Sequence, residues 1–522
     1  MSNFSKTKFV TKYEPSIDAR VELKNGKFLD VITGSYFDPG VSVVLHGGRI
    51  ESIPGLPGER SDARPHFTID LKGMTVIPGL FNTHCHINMT PTTIVPSLRD
   101  IWLGKRYGER QKAKNMAECL AHGITNVRDA YSEDLRLTAD LKQRILKEEL
   151  PGPRILQSVV VGPPGSYLAE KYGLGMRLLR SAFGMPIMDH SRAEAGVVEF
   201  RVDATGREVR DAVDRAIEER GAEAIKIGEQ LENMTNLKPN STIMRIDQLE
   251  ALADQARIRG LKTLMHHVSV ESFRRGVKAG VSSLSHIATD AALTKEDVES
   301  FKASGCIIEP TLSVGYGITW KVKGDQWYDH ADMNRLTAFR DSVYTYSTLA
   351  DEFYIPELRE RLIAAHKKLS SGSPRALGFF SMSRLLKYYA RSVYHGFSNF
   401  RLLFTEGATI ALANDGGIPP CTPAMMGLEL TFFDLALSSD GGGRRLSGAE
   451  AARIATINSA RSMGLDKEFG SIESGKVADL VIVDGDPLED SGILGSQVAA
   501  LFMEGRLVID NVGLRVEASR AT

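Results

Sequence analysis

The stretch Pro78-Gly79-Leu80-Phe81-Asn82-Thr83-His84-Cys85-His86 decides how this chain is read. In an extended strand, side chains i and i+2 share a face. His84 and His86 therefore project together while Cys85 turns the other way and reads as a small buried hydrophobe. Two neutral imidazoles side by side at a strand end make half of a metal site. A bare His-x-His is more often a pair of buried histidines satisfied by backbone groups, so the rest of the chain has to decide.

Beyond this stretch, short apolar runs alternate with amphipathic segments, the pattern of a parallel sheet with helical crossovers. Strands are expected at 77–86, 124–129, 154–161, 224–228, 262–267, 281–286, 306–311 and 409–415, with helices at 108–121, 135–149, 208–220, 246–259, 271–278 and 295–304. Eight strands with helices between them is the count of a (β/α)8 TIM barrel, here over residues 77–464. Glycines such as Gly280 and Gly305 stand where helix C-caps belong. Residues 1–76 and 465–522 carry short β-like runs punctuated by turn residues, each too short to bury a face alone. Together they are expected to complete one small β-sandwich domain. Two connections, at about 162–204 and 312–401, exceed a simple crossover. Loops that follow strands build the mouth of a barrel, so both inserts are candidates for a lid or substrate pocket. The second, rich in tyrosines and basic residues, serves equally well as a dimer interface, and a homo-oligomer is expected.

At 522 residues the chain suits a large domain plus a smaller one. A net charge of -1 gives no electrostatic case for nucleic acid or an anionic membrane. Cys85, Cys119, Cys306 and Cys421 form no CxxC pair, which argues against a disulfide scaffold or a thiolate zinc site and fits a reducing, cytoplasmic setting. The first residues show no apolar run resembling a signal peptide, and no stretch reaches the ~20 apolar residues a membrane span needs. The expected partner is a small-molecule substrate, with neither nucleic acid nor membrane.

A barrel of this kind places its chemistry at the C-terminal ends of strands. His84 and His86 end strand one, His266-His267 strand five, His286 strand six, and Asp415, followed by Gly416-Gly417, strand eight. Four such ends on one rim supply nitrogen and oxygen ligands of the kind zinc prefers. His267 points opposite to His266 and reads as structural. Strand four carries Lys226 between Ile225 and Ile227, where desolvating an ammonium is costly. Two readings stay open. Lys226 pairs with a carboxylate such as Glu229 or Asp415, or its pKa falls and the neutral amine takes up carbon dioxide. The resulting carbamate would bridge two metal ions about 3.5–4 Å apart. Arg128-Asp129 reads as a rim salt bridge in preference to a substrate contact. Tyr167 and the tyrosines of 344–394 are possible substrate contacts, with ordinary packing the default.

The order of these motifs resembles that of the amidohydrolase superfamily over almost the whole chain. Val76-Ile-Pro-Gly-Leu-Phe-Asn-Thr-His-Cys-His86, Ala224-Ile-Lys-Ile227, Ala279-Gly-Val-Ser-Ser-Leu-Ser-His286, Thr456-Ile-Asn-Ser-Ala460 and Gly470-Ser-Ile-Glu-Ser-Gly-Lys-Val-Ala-Asp-Leu-Val-Ile-Val-Asp484 carry the likeness. The resemblance implies two divalent metal ions, usually zinc, with His84 and His86 on one and His266 and His286 on the other. It implies carbon dioxide held as a carbamate on Lys226 between them, and Asp415 on the first metal. The lysine makes the chain similar to the prolidase-like binuclear hydrolases and unlike the mononuclear deaminases. Asn414, Ser285 and Gly162-Pro-Pro-Gly-Ser-Tyr167 depart from the family pattern.

The expected activity is hydrolysis of an amide-type C–N bond, in a dipeptide, an N-acyl amino acid or a similar amide, by a metal-activated hydroxide, with Asp415 as catalytic acid–base. Three alternatives stand beside it. One is a cyclic amide or imide hydrolase or a deaminase, another a lactone or phosphotriester hydrolase, and the third a non-enzymatic barrel homologue.

Overall fold

The computed structural model describes residues 7–13, 15–59, 64–89, 98–166, 192–231, 242–314, 352–370, 382–418, 421–438 and 443–519. Tyr167, Tyr344, Tyr346 and much of both expected inserts lie outside the described residues.

Seven strands pair in parallel, each with its successor in the sheet: Leu80–Cys85, Ile124–Asp129, Arg154–Gly162, Ala224–Gly228, Thr263–His266, Ser283–Ser285 and Ile307–Glu309, barrel strands one to seven below. Their near-continuous burial is what parallel strands covered on both faces require. The cylinder is closed by residues 409–416. Ile410 bridges in parallel to Ile308 of strand seven, and Gly416 bridges in parallel to Cys85 of strand one. This segment, expected as a regular eighth strand, is held by isolated bridges instead, and side chains supplement its backbone hydrogen bonds. The Leu412 N–H donates to Ser459 Oγ (2.9 Å) and Asn458 Nδ2 donates to the Ile410 carbonyl (3.0 Å). Both side chains come from the π-helical turn Ile454–Asn458 and its continuation Ser459–Met463, so the Thr456-Ile-Asn-Ser-Ala460 motif braces the barrel's last segment.

Strand one was expected to run unbroken over 77–86. It breaks at Gly79. Thr75–Pro78 pairs antiparallel with Leu480–Val483 and parallel with Lys27–Asp30, in a separate sheet. At Gly79 the N–H donates to the Asp479 carbonyl (2.9 Å), and one residue later the Leu80 N–H donates to the Gly123 carbonyl of the barrel (2.9 Å). The chain thus changes sheets within two residues. A Cβ at position 79 would collide with the Thr125 side chain, which is why glycine stands there. A further short strand, Val197–Glu199, lies beside Val160–Gly162 inside the connection expected as an insert. At three residues it is too short to show a periodicity.

Both ends of the chain contribute to two further sheets. One orders strands Val516–Ala518, Phe67–Asp70, Val21–Lys24, Val43–His46 and Arg49–Ser52. The other orders Arg506–Asp510, Ala500–Met503, Leu480–Val483, Thr75–Pro78, Lys27–Asp30 and Ser35–Tyr36. Their inner faces share one apolar cluster that includes Leu23, Phe28, Leu45, Ile69, Val76, Ile482 and Phe502. Around the barrel, helices start on capping boxes, Thr205 with Glu208 and Thr294 with Asp297. Gly280 and Gly305 close theirs in the left-handed conformation at φ 73° and 71°, as their positions in the sequence require. The helix expected from Gly108 begins earlier and runs Leu98–Ala121 straight through that glycine.

Gly79→Ala is expected to destabilise the chain by about 1–3 kcal/mol through overpacking against Thr125. Thr125→Ala in the same chain should return part of that loss. Urea-unfolding midpoints of the two variants and the parent check both.

Candidate metal centre

Adjacent parallel strands end level with one another, and that brings distant side chains to one rim. Gly228 of strand four stands opposite His266 of strand five, and His266 opposite Ser285, the residue before His286. On the other side of the cylinder the Asp415 N–H donates to the His84 carbonyl (3.0 Å). The ring centroids of His84 and His86 lie 5.5 Å apart, those of His84 and His286 5.0 Å, and those of His266 and His286 4.5 Å. Asp415 Oδ1 sits 3.2 Å from His84 Nε2 and 3.0 Å from His86 Nε2. Ligand atoms of His84, His86 and Asp415 all fall within 4.8 Å of one another, a spacing one cation can bridge. His267 faces away, with Nδ1 on the Ser285 carbonyl (2.9 Å) and its ring against Phe273.

Three residues here hold left-handed backbone that side chains other than glycine's rarely adopt: His286 at φ 73°, Thr311 at φ 49° and Asp415 at φ 52°. Such strain persists where surrounding structure over-determines it, and it clusters at functional sites. Protein oxygens aim the imidazoles, and one such contact joins two of these residues. His286 Nδ1 lies 2.8 Å from Thr311 Oγ1, His266 Nε2 lies 2.6 Å from Gln230 Oε1, and His86 Nδ1 lies 3.4 Å from the Tyr131 carbonyl. In each ring one nitrogen meets a protein oxygen. Metal-binding histidines are held in just this way by outer partners that set the tautomer. Gln230 and Thr311 escaped the sequence reading because neither carries a motif. Each lies two residues past the end of its own strand, which is the one signal that could have found them.

Burial dominates the electrostatics. It lowers His84 to a pKa of about 4 and takes His266 and His286 well below the ordinary histidine range, with neighbouring positive charge adding to it. For His86 burial pulls down as well, but the Asp415 carboxylate outweighs it and the net shift is upward. Burial pushes the Asp415 carboxyl up, and the two imidazoles beside it more than reverse that, holding it well below the usual range. Lys226 is fully desolvated in strand four. Burial brings its ammonium down to a pKa of about 7 against the opposing pull of Asp415 and Glu309. Among the described residues its Nζ has no hydrogen-bond partner. Glu229, one of its two expected partners, is taken by Arg275 at 2.6 Å. Arg128 does not form the rim bridge expected with Asp129 either. Neighbours in a strand point to opposite faces, so Arg128 turns into the barrel onto Glu309 while Asp129 accepts from Thr138 (2.9 Å).

A cation is the chemical group that fits this arrangement. His84 Nδ1 and Lys226 Nζ are buried without hydrogen-bond partners among the described residues, and the groups that gather there are imidazoles and the Asp415 carboxylate. A second cluster, Glu118, His122 and Glu352, is instead tied up in ion pairs: Lys114 to Glu118 at 2.7 Å and His122 to Glu352 at 3.0 Å.

The family model that matches this sequence, described as the amidohydrolase family, covers residues 75–508. The chain belongs to the amidohydrolase family. It is similar to the 5-methylthioadenosine/S-adenosylhomocysteine deaminase of Moorella thermoacetica, 33% identical over 89 residues, 17% of this chain and 21% of that one. It is similar also to the imidazolonepropionase of Symbiobacterium thermophilum, 30% identical over 125 residues, 23% and 27% of the two chains. The aligned stretches thus span about a quarter or less of these curated relatives. Across the fold, a solved Xaa-Pro dipeptidase with bound methionine superposes with a TM-score of 0.61 at 21% identity, over 94% of this chain and 100% of that one.

The desolvated lysine has a pH signature in the metal-free chain. Folded, Lys226 loses its proton near pH 7, whereas unfolded it keeps it to about 10.4. Between those values the unfolded state binds more protons, so stability should rise with pH. Lys226→Met removes that contribution. Urea unfolding of chelator-treated protein at pH 7 and pH 9 should show a smaller gain for Lys226→Met than for the parent.

Proposed function

We propose that this chain is a metal-dependent hydrolase that cleaves an amide-type C–N bond in a small molecule such as a dipeptide or an N-acyl amino acid. The observation that carries the reading is Lys226, a desolvated amine without a hydrogen-bond partner among the described residues, whose charge is felt by His84, His86, His266 and His286 alike. His84, His86 and Asp415 would hold one divalent ion, and His266 and His286 a second, with zinc favoured by the nitrogen-rich set. Near neutrality a large share of Lys226 is the free amine. Its nitrogen could add to carbon dioxide with loss of a proton, and the resulting carbamate would supply the ions with an anionic ligand.

Bound divalent ions supply a water pKa lowered from about 15.7 towards ~7 and polarise a carbonyl oxygen. The chain supplies the rest. Asp415, held ionised by its two imidazole neighbours, would accept the proton from the attacking water at a carboxylate oxygen and return it to the leaving nitrogen. Asn414 fixes that carboxylate's segment from below. It accepts from Asn82 Nδ2 (2.8 Å) and from the Gly416 N–H (2.9 Å), and donates to the Thr422 carbonyl (2.8 Å). All four cysteines are unpaired and buried, in keeping with a cytoplasmic setting. Among the described residues no helix is long and apolar enough to cross a membrane.

A second reading, attack on a cyclic amide or an amidine carbon, draws on the deaminase and imidazolonepropionase relatives. A panel of dipeptides, N-acyl amino acids, hydantoins and aminated heterocycles separates the two, since only deamination releases ammonia. Cleavage of linear amides that stops on chelation supports the first reading, and turnover confined to rings or amidines would replace it with the second. Asp415→Asn should lower kcat on the active substrate by at least ~10²–10⁴. Near-normal turnover in that variant at full metal content would remove Asp415 from its role.

A further inference from the structure

Arg128 and Glu309 form an ion pair inside the barrel with both side chains 0% exposed. Two charges are not withdrawn from water for stability alone, because an apolar pair of similar volume generally does as well. Their remaining contacts show what they are attached to. Arg128 Nε donates to the Thr83 carbonyl (2.8 Å) and Nη1 to the Ser462 carbonyl (3.2 Å), while Nη2 meets Glu309 Oε1. Thr83 directly precedes His84, and there the pairing of strands one and two slips out of register, between Asn82 and Cys85. The guanidinium therefore takes up a carbonyl at the point where the regular ladder lapses. Glu309 stands opposite Ser285 across strands six and seven, and its Oε2 accepts from Ser285 Oγ (3.1 Å). That same Oε2 is 3.9 Å from His84 Nδ1, the nitrogen of this ring that has no hydrogen-bond partner among the described residues. The other nitrogen, Nε2, faces Asp415.

We propose that the buried Arg128–Glu309 pair is a positioning device for His84, keeping the ring proton on Nδ1 so that Nε2 presents its lone pair to the cation held with His86 and Asp415. A neutral imidazole carries one N–H, and a fixed carboxylate on the Nδ1 side favours the tautomer that has it there. Arg128 holds Glu309 through Nη2 on Oε1 and clamps the backbone one residue before the ligand through Nε on the Thr83 carbonyl. His84 has an ionic outer partner in Glu309, whose Oε2 lies 3.9 Å from Nδ1. His86, His266 and His286 meet a carbonyl, an amide and a hydroxyl. This inference rests on the metal-dependent function proposed above.

The test is the zinc dissociation constant, read by chelator competition, alongside the unfolding midpoint of the metal-free chain. Glu309→Gln should weaken zinc binding by about 10–100-fold, the loss usual for an outer partner of a ligating histidine. Arg128→Met/Glu309→Gln removes both charges and so avoids a stranded guanidinium. It should unfold near the parent's midpoint while keeping the weakened zinc affinity, and Glu309→Asp should recover part of it. Parent-like zinc affinity in a folded double variant overturns the proposal, as does a lowered midpoint with unchanged affinity, since that marks a merely structural pair. If neither Glu309 variant folds, Ser285→Ala, which removes the hydroxyl that holds Oε2 in place beside His84 Nδ1, decides: weakened zinc binding supports the proposal and parent-like binding overturns it. A parent chain that binds no zinc overturns the functional reading itself and this inference with it, whereas a parent that binds zinc and variants that match it overturn this inference alone.

Discussion

Closure of the cylinder by residues 409–416 is the constraint on which the rest depends. Until that segment is seated between strands one and seven, His84 and His86 face open space and Asp415 is hundreds of residues away along the chain. Seating it costs the regularity of a strand, because Asp415 is turned into left-handed backbone. Asn458, Ser459 and Asn414 meet the backbone groups that regular pairing would have met. Side-chain hydrogen bonds can make up such a shortfall because a buried backbone group left unpaired costs about 1–3 kcal/mol. The strain and its compensation lie within one helical turn and one loop, next to the carboxylate they aim.

The same economy governs charge. The rim gathers four imidazoles, a carboxylate and an amine out of contact with water, and every one of them is shifted from its ordinary protonation behaviour. Burial alone would neutralise the set. Asp415 stays ionised because two imidazoles stand within 3.2 Å, and Lys226 stays near its titration point because Asp415 and Glu309 oppose the loss of its proton. Groups poised in this way cluster at catalytic centres. In the Arg128–Glu309 pair beneath them the two formal charges cancel, which lets a charge sit against His84 without adding to the net charge of the rim.

Much of this was legible in the sequence because barrel strands obey one rule: whatever ends a strand meets whatever ends the others. That rule brought His84, His86, His266, His286 and Asp415 to one rim, and it singled out Lys226 as a charge with no business in a buried strand. It could not see the break at Gly79, since the reason for that glycine is Thr125 of a neighbouring strand. Nor could it see Glu309 beneath His84, because a partner 181 residues from Arg128 is fixed only by closure. The misreading of Arg128 with Asp129 was avoidable, for the alternation that separates His84 from Cys85 separates these two as well. The strand Val197–Glu199 was hidden for a different reason, being too short to leave a pattern, and the segment 409–416 was expected as a strand without its irregularity being visible.

Elemental analysis of the purified chain bears most directly on the idea that these side chains jointly grip a pair of cations around Lys226. About two zinc-like ions per chain are expected, with Lys226→Ala losing metal and regaining part of it when a short carboxylic acid is added. A parent chain without metal, or a Lys226→Ala chain with the parent's full content, would contradict it.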